Sequence, residues 1–330
     1  MAQDITIICL YVDDLLVTGN SLENLSKFKE LMMKEFEMSD LGKLSYFLGM
    51  EFQMSKQGMV LHQKKYVKEI LKRFKMDDSN PASSPVEPNL KLEKHGEEDK
   101  VDVTLFKQIV GSLRYMCNSR PNIGFAVGLV SRYMSEPRLS HMKVARRILR
   151  YLKGSIDYGI LFRRDSEGKE VTVTCFSDAD WCGDKEDRRS TTGYFFQVFG
   201  APISWCSKKQ PVVALSSCEA EYIAGSYAAC QAIWIKSVLE EMEVEVKKPL
   251  VLQIDNKSAI NLAKNLVLHG RSKHIEARFH FLREKVNRGE LEVRHCSSEA
   301  QLADIFTKGL KIDRFLNLRK KLGIVQIDYG

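Results

Sequence analysis

Val171-Thr172-Val173-Thr174-Cys175-Phe176-Ser177-Asp178-Ala179-Asp180-Trp181 is the stretch whose reading decides the fold. Val171, Val173 and Cys175 recur with the period of a half-buried strand, and the run closes on Asp178 and Asp180. A strand that ends on acids carries its charge to the end of a sheet, where solvent and metal ions can reach it. Three further carboxylates answer it downstream. Glu221 lies in Ser216-Ser217-Cys218-Glu219-Ala220-Glu221-Tyr222, Asp255 follows the apolar run Leu250-Val251-Leu252-Gln253-Ile254, and Asp304 lies in Gln301-Leu302-Ala303-Asp304-Ile305-Phe306. Each stands at an element boundary or on a helix, so folding can gather them into a metal cage. Taken singly, each is equally a surface acid on an element end.

Working outward, Thr192 to Phe199 and Ile203 to Ser207 read as two more strands around Gly200-Ala201-Pro202, giving an antiparallel meander of three after the charged turn Asp184 to Ser190. Ser216 or Ser217 caps a long helix to about Met242. Glu221 shares a stripe with Ala224, Ala228, Ala232, Ile235 and Leu239, whereas Glu219 points with Ile223, Tyr227, Cys230 and Trp234. Small residues let a helix sit close on a sheet, so Glu221 is the metal-facing acid and Glu219 a first-turn charge favoured by the helix dipole. Asp255 ends a strand where Asn256 opens a helix through Ala263. Leu291 to Arg294 is a further strand, and a last helix from Ser298 holds Asp304. Asp180 follows Asp178 by two and can share its side in a supporting role.

Upstream, Ile5 to Leu10 and Leu15 to Thr18 form a hairpin around Tyr11-Val12-Asp13-Asp14. Adjacent ionised acids on a tight turn repel each other, so the pair is either fully solvated or bound to a cation. Asn20 or Ser21 caps a helix from Leu22 to Phe36, and Leu41 to Phe52 leads into a second hairpin that turns at Ser55-Lys56-Gln57-Gly58 and returns as Met59 to His62. Tyr66 to Phe74 is an amphipathic helix. From Asp77 to Asp102 prolines, serines and charges mark a linker that can still be ordered along a surface. Helices resume over Leu105 to Met116, Ile123 to Met134 and His141 to Lys153, broken at Pro121 and Pro137. The last of these sets Lys143, Arg146, Arg147, Arg150 and Lys153 opposite Val144, Ile148, Leu149 and Leu152. That basic face suits phosphate backbones, or is simply a solvated helix face.

Composition sets the outer limits. The chain has 330 residues and a formal net charge of +7, which points to a polyanionic or neutral partner. Eight cysteines without C-x-x-C spacing argue against a disulfide or zinc framework and for an intracellular protein. The apolar run Ile5 to Leu10 is too short to span a membrane, and no targeting segment is visible.

Tyr11-Val12-Asp13-Asp14, together with Phe47, Leu48, Gly49, Glu51 and Phe52, resembles the end of a reverse-transcriptase palm of the kind found in copia-type retrotransposon Pol polyproteins. The resemblance continues through Val110-Gly111-Ser112-Leu113-Arg114-Tyr115 and Arg147-Ile148-Leu149-Arg150-Tyr151-Leu152-Lys153-Gly154. It extends to Ser190-Thr191-Thr192-Gly193-Tyr194, Asp255-Asn256-Lys257-Ser258-Ala259, Ser272-Lys273-His274-Ile275 and Ala303-Asp304-Ile305-Phe306-Thr307-Lys308, words typical of that family's nuclease. It implies an α/β (α+β) chain: a truncated palm remnant with its following hairpin and helix over 1–76, a linker over 77–102, a helical connection over 103–165, an RNase H-like mixed five-stranded sheet with helices over 170–310, and a tail or helix over 311–330.

Function follows from the same resemblance. Asp178, Glu221, Asp255 and Asp304 are then the catalytic and metal-binding carboxylates of an RNase H-type endoribonuclease acting on the RNA strand of RNA-DNA hybrids. Their hard oxygens suit Mg²⁺ or Mn²⁺, and two ions about 4 Å apart would activate water and stabilise the leaving 3′-oxygen. Tyr11, Asp13 and Asp14 are a polymerase remnant, because the third polymerase carboxylate and the fingers belong upstream of the hairpin in that family. The implied partners are RNA-DNA hybrid or other nucleic acid and upstream reverse-transcriptase segments of the polyprotein, with no membrane. The implied location is the cytoplasm, in virus-like particles in that family, or the nucleus. Arg271, Lys273, His274 and Arg278 would meet the hybrid's backbone, and His295 is the nearest match to the loop histidine that aids product release in many RNase H enzymes. The alternative is a decayed or domesticated copy that binds nucleic acid without cutting it.

Overall fold

The computed structural model describes residues 4–94, 97–164, 171–264 and 280–327. Arg271, Lys273, His274 and Arg278 lie outside the described residues. The chain divides into two compact units, Met1–Phe52 and Gln53–Gly330.

In the first unit β1 (Thr6–Tyr11) and β2 (Asp14–Gly19) pair antiparallel, with Tyr11 opposite Asp14, so the turn closes on Val12 and Asp13. Val12 adopts φ +51°, a left-handed conformation unusual for a β-branched residue. Ser21 caps α1 (Leu22–Glu35) by accepting from the Asn24 amide. No residue of α1 is buried, and Leu22, Leu31, Met33 and Phe36 are exposed. A short β3 (Tyr46–Phe47) turns through Leu48 and Gly49, both at positive φ, into β4 (Met50–Ser55), which crosses the division between units.

In the second unit the chain runs through β5 (Gly58–His62), α2 (Lys64–Arg73), α3 (Val103–Met116), a 3-10 turn Pro121–Ile123, α4 (Gly124–Ser131), α5 (Leu139–Gly154) and β6 (Tyr158–Arg163). There follow β7 (Val173–Asp180), β8 (Thr191–Val198), β9 (Ala201–Lys209), α6 (Ser217–Glu241), β10 (Leu250–Ile254), α7 (Lys257–Lys264), α8 (Phe281–Asn287) and β11 (Leu291–His295). A 3-10 helix Leu302–Phe306, α9 (Ile312–Lys321) and β12 (Ile324–Gln326) complete it. The main sheet is ordered β11-β10-β7-β8-β9, with β7, β8 and β9 antiparallel and β10 and β11 parallel to β7. This is the mixed five-stranded sheet expected from the sequence. The meander turns at Phe199 and Gly200, both at positive φ, one residue earlier than the sequence reading placed it.

Each face of the sheet carries its own core. On one, Val173, Cys175 and Phe196 pack with Tyr222, Ala228 and Ala232 of α6 and with Leu282 of α8. On the other, Phe176, Phe195 and Phe306 join Phe106, Leu113, Ile148, Leu149 and Phe315, so the 103–165 helices and α9 form the layer beneath the main sheet. The expected domains over 103–165, 170–310 and 311–330 therefore share one core. Tyr158 to Arg163, expected within the helical region, is instead strand β6, which lies between β5 and β12 in a second sheet. Its continuous apolar run Ile160-Leu161-Phe162 lacks the alternation that would have marked a strand.

The described residues of the 77–102 stretch form no helix or strand, yet they are tied to the rest of the chain. Val86 and Leu92 are buried, and α5 holds the strap by its basic side chains. Arg147 donates to Ser84 O at 3.2 Å and pairs with Glu87 at 2.7 Å, Arg150 donates to Asn80 O at 2.6 Å, and Lys153 donates to Ser79 O at 2.8 Å. Three of the five cations expected to meet phosphate thus satisfy carbonyls of the chain itself, whereas Lys143 and Arg146 are exposed. Arg147→Ala is expected to lower stability by about 1–2 kcal/mol. Limited proteolysis should then cut within 77–94, and a digestion pattern identical to the parent's would show that Arg147 does not hold the strap.

Candidate active site

Parallel pairing of β10 with β7 puts their carboxyl ends at one end of the sheet. Gln253 lies opposite Phe176, so continuing the register two residues sets Asp255 beside Asp178. Asp255 is held by Ser298, whose hydroxyl donates to its Oδ2 at 3.1 Å. Asn256 caps α7 by accepting from the Ala259 amide at 3.0 Å, which fixes the strand-to-helix corner.

Asp304 arrives on a different element from the one expected. It sits on a single 3-10 turn rather than on a helix from Ser298, because Gln301 caps the turn through the Ala303 amide and ties it to the sheet by donating to Ser177 O at 2.8 Å. The turn can lie this close only because residue 193, opposite Asp178 on β8, is glycine. A Cβ there would stand 2.7 Å from Thr307 Cγ2 and 2.9 Å from Ala303 O. Gly193→Ala is expected to cost about 1–3 kcal/mol in chemical denaturation, because overpacking must push the Asp304 turn off the sheet. Unchanged stability would show that the turn yields freely.

The long helix contributes the fourth acid as the small-residue stripe indicated. Glu219 Oε2 accepts from the Leu215 amide at 2.8 Å while Ser216 Oγ accepts from the Glu219 amide at 3.2 Å, an N-terminal cap. Glu221, two residues on, accepts from the Ala179 amide at 3.2 Å through Oε1, lies against the Asp178 carboxyl, and has a buried Oε2 that accepts no hydrogen bond among the described residues. Asp178, Asp255 and Asp304 offer oxygens that all lie within 4.8 Å of one another. Asp178 is 2% exposed, and burial pushes its carboxyl up to about 6 against the pull of Lys308, with Asp304 adding repulsion. Burial, then Asp178 and Asp255, raise Glu221 well above the ordinary range.

The cage is not purely acidic, as the sequence had implied. Lys308 Nζ makes ion-pair contact with Asp304 Oδ1 at 2.8 Å and lies 3.6 Å from Asp178 Oδ2. Arg314 donates to Asp304 Oδ2 at 3.1 Å, and the Thr307 hydroxyl donates to Asp178 Oδ2. Burial pulls the Lys308 ammonium down, but Asp178 and Asp304 hold its pKa above the ordinary lysine value. Sequence reading missed Lys308, Thr307, Arg314, Gln301 and Gly193. Lys308 had a legible signal, since it stands four residues after Asp304.

The remaining expected residues fall as follows. Asp180, half-buried at the end of β7, is raised by burial against the pull of Lys308, Arg132 and Lys91. His295 is the exposed last residue of β11, in register with Ile254. Tyr11, Asp13 and Asp14 are exposed on the hairpin of the first unit. His280 lies 3.3 Å from the Tyr222 hydroxyl, a structural contact. The all-carboxylate donor set, in which the buried Glu221 Oε2 and Asp304 Oδ1 accept no hydrogen bond among the described residues, fits a hard divalent ion such as Mg²⁺ or Mn²⁺.

The model of the family described as "Reverse transcriptase (RNA-dependent DNA polymerase)" matches residues 2–88. A "Retrovirus-related Pol polyprotein from transposon RE1" of Arabidopsis thaliana is 38% identical over 98% of this chain and 22% of its own length. A "Putative transposon Ty5-1 protein" of Saccharomyces cerevisiae is 33% identical over 66% of this chain and 71% of its own. Among solved structures, RNase H1 from the halophilic archaeon Halobacterium salinarum is similar at 11% identity with a TM-score of 0.28, over 44% of this chain and 98% of that one. The chain spans about a fifth of the length of the Pol polyproteins that it matches first.

Proposed function

The chain belongs to the copia-type retrotransposon Pol polyprotein family, and from that premise we propose that it hydrolyses the RNA strand of RNA-DNA hybrids in a metal-dependent, RNase H-type reaction. The observation that carries the reading is the convergence of Asp178, Glu221, Asp255 and Asp304 from β7, α6, β10 and the 3-10 turn onto one end of a mixed sheet. A Mg²⁺ or Mn²⁺ ion held there would polarise the scissile phosphate and lower the pKa of an attacking water. The chain's own part is to hold the carboxylates in place: Thr307 and Lys308 orient Asp178, Arg314 fixes Asp304, and the Ala179 amide holds Glu221. Lys143, Arg146 and the net charge of +7 favour a phosphate backbone as partner.

In the first unit, the uncovered apolar side chains of α1 and of the β1–β2 hairpin are the surface that upstream polymerase segments of a polyprotein would bury. Tyr11, Asp13 and Asp14 would serve polymerisation only together with upstream segments of such a polyprotein, and primer extension by the purified chain tests this. Among the described residues no helix is long and apolar enough to cross a membrane.

A second reading has one observation in its favour. Lys308 and Arg314 already engage both oxygens of Asp304, which suits a silent copy that binds nucleic acid without cutting it. Incubation of the purified chain with an end-labelled hybrid and Mg²⁺, beside an EDTA control, separates the two. Cleavage of the RNA strand only in the Mg²⁺ arm is expected. Hybrid retained in a mobility shift but left uncut at every Mg²⁺ concentration would favour the binder and overturn the hydrolytic reading.

A further inference from the structure

Resting on the hydrolytic reading of this site, we propose that the cluster takes one divalent ion rather than two, because Lys308 stands in the place of the second cation. Metal binding requires the carboxylates in their ionised form, so a loaded cluster carries four negative charges, and the chain supplies two positive charges of its own, Lys308 and Arg314. The two negative charges left over are matched by a single divalent ion. A second ion would leave an excess of positive charge at the cluster.

The two cations differ in how firmly they are held. Arg314 is anchored by backbone carbonyls: it donates to Glu299 O at 2.6 Å, to Ser298 O, and to Asp304 Oδ2 at 3.1 Å. It is a structural clamp on the Asp304 turn. Lys308 makes contacts to Asp304 Oδ1 and Asp178 Oδ2, so its ammonium bridges two of the acids as a metal ion would. Asp304 Oδ1 has no aligned hydrogen bond, so the contact is one of charge more than of direction. The half of the cluster around Asp304 is thus filled by the chain. Glu221, whose buried Oε2 accepts no hydrogen bond among the described residues and which is repelled by Asp178 and Asp255, supplies with those two the acids left to one hard cation. A compact ammonium on a flexible stem is suited to this work, since it neutralises charge without imposing octahedral geometry.

The test is the stoichiometry of Mn²⁺ binding to the full chain near neutral pH, by isothermal titration and by electron paramagnetic resonance of free Mn²⁺. The parent is expected to bind one ion per chain. Lys308→Met should admit a second ion, or tighten the first by about tenfold through loss of a like charge beside the site. Lys308→Arg, which keeps the charge, should bind one. Thermal melts without metal report whether each variant is folded, and the parent's stoichiometry decides the matter even if Lys308→Met is not. Two ions of similar affinity on the parent would overturn the one-ion assignment while leaving the hydrolytic reading intact. Unchanged binding by a folded Lys308→Met would equally overturn it. No binding by the parent at all would overturn both.

Discussion

Asp178→Asn is expected to lower hybrid cleavage by at least about 10³-fold while making the metal-free protein more stable. The side chain is 2% exposed, lies between Asp304 and Glu221, and is held by the Thr307 hydroxyl and by Lys308 at 3.6 Å. Asparagine is nearly isosteric and still offers an oxygen to Thr307, so the packing of β7 against the Asp304 turn survives. What is lost is the negative charge, which a divalent ion needs and which the metal-free core tolerates poorly. Removing it relieves burial of a charge among like charges, less the attraction to Lys308, for a gain of about 1–3 kcal/mol. Denaturant unfolding in EDTA, paired with initial rates of hybrid cleavage in Mg²⁺, reads both effects from one preparation. A variant that loses stability would show that the carboxylate is a structural partner of Lys308, and one that retains cleavage would remove Asp178 from the site.

The pH dependence should invert when metal is added. Burial lifts the Asp178 carboxyl from its ordinary 3.8 to about 6, so the folded chain holds this proton more tightly than the unfolded one. Its contribution to stability is therefore full below about pH 4 and is lost as the pH rises through about 6. Glu221, raised in the same direction, extends the loss upward. Divalent ions bind only the ionised carboxylates, so their stabilisation has the opposite sign: absent below about pH 6 and growing above it. At a concentration about a hundredfold above the dissociation constant, that stabilisation is about 2.7 kcal/mol. Melting curves in EDTA and in Mn²⁺ from pH 4.5 to 8.5 should diverge only in the upper half of the range. Parallel curves at all pH values would mean that the ion binds elsewhere or not at all.

How much of this was legible in the sequence depends on the kind of signal each residue carried. The choice of Glu221 over Glu219 could be made from periodicity, because the alanines in register with Glu221 can only be the face that lies against the sheet. The strand ends at Asp178 and Asp255 were equally readable, since a short apolar run closing on an acid leaves one plausible edge. Asp304 was found but its setting was not. A five-residue 3-10 turn has no amphipathic period, and its seat is set by a glycine on another strand, Gly193, about a hundred residues away.

The basic face of α5 shows a complementary limit. Periodicity placed Lys143, Arg146, Arg147, Arg150 and Lys153 on one side of a helix but could not say what lay opposite. In the structure three of them hold the 77–102 strap, whose composition had suggested a linker that could still be ordered along a surface. The shared core of the 103–165 helices with the sheet was hidden for the same reason: apolar stripes show that a face is buried, not which element buries it. Lys308 lay within a recognised word, yet a lysine four residues after an acid is so often a solvated pair that only its approach to Asp178 gives it a role.

The central claim is that carboxylates from four separate elements grip a divalent ion at the end of the main sheet. Anomalous diffraction from crystals of the chain soaked in Mn²⁺ tests it most directly. The expected result is a peak within about 2.5 Å of oxygens of Asp178, Glu221 and Asp255, lost in Asp178→Asn. A cluster without a peak, with Lys308 still seated between Asp304 and Asp178 at high Mn²⁺, would contradict it.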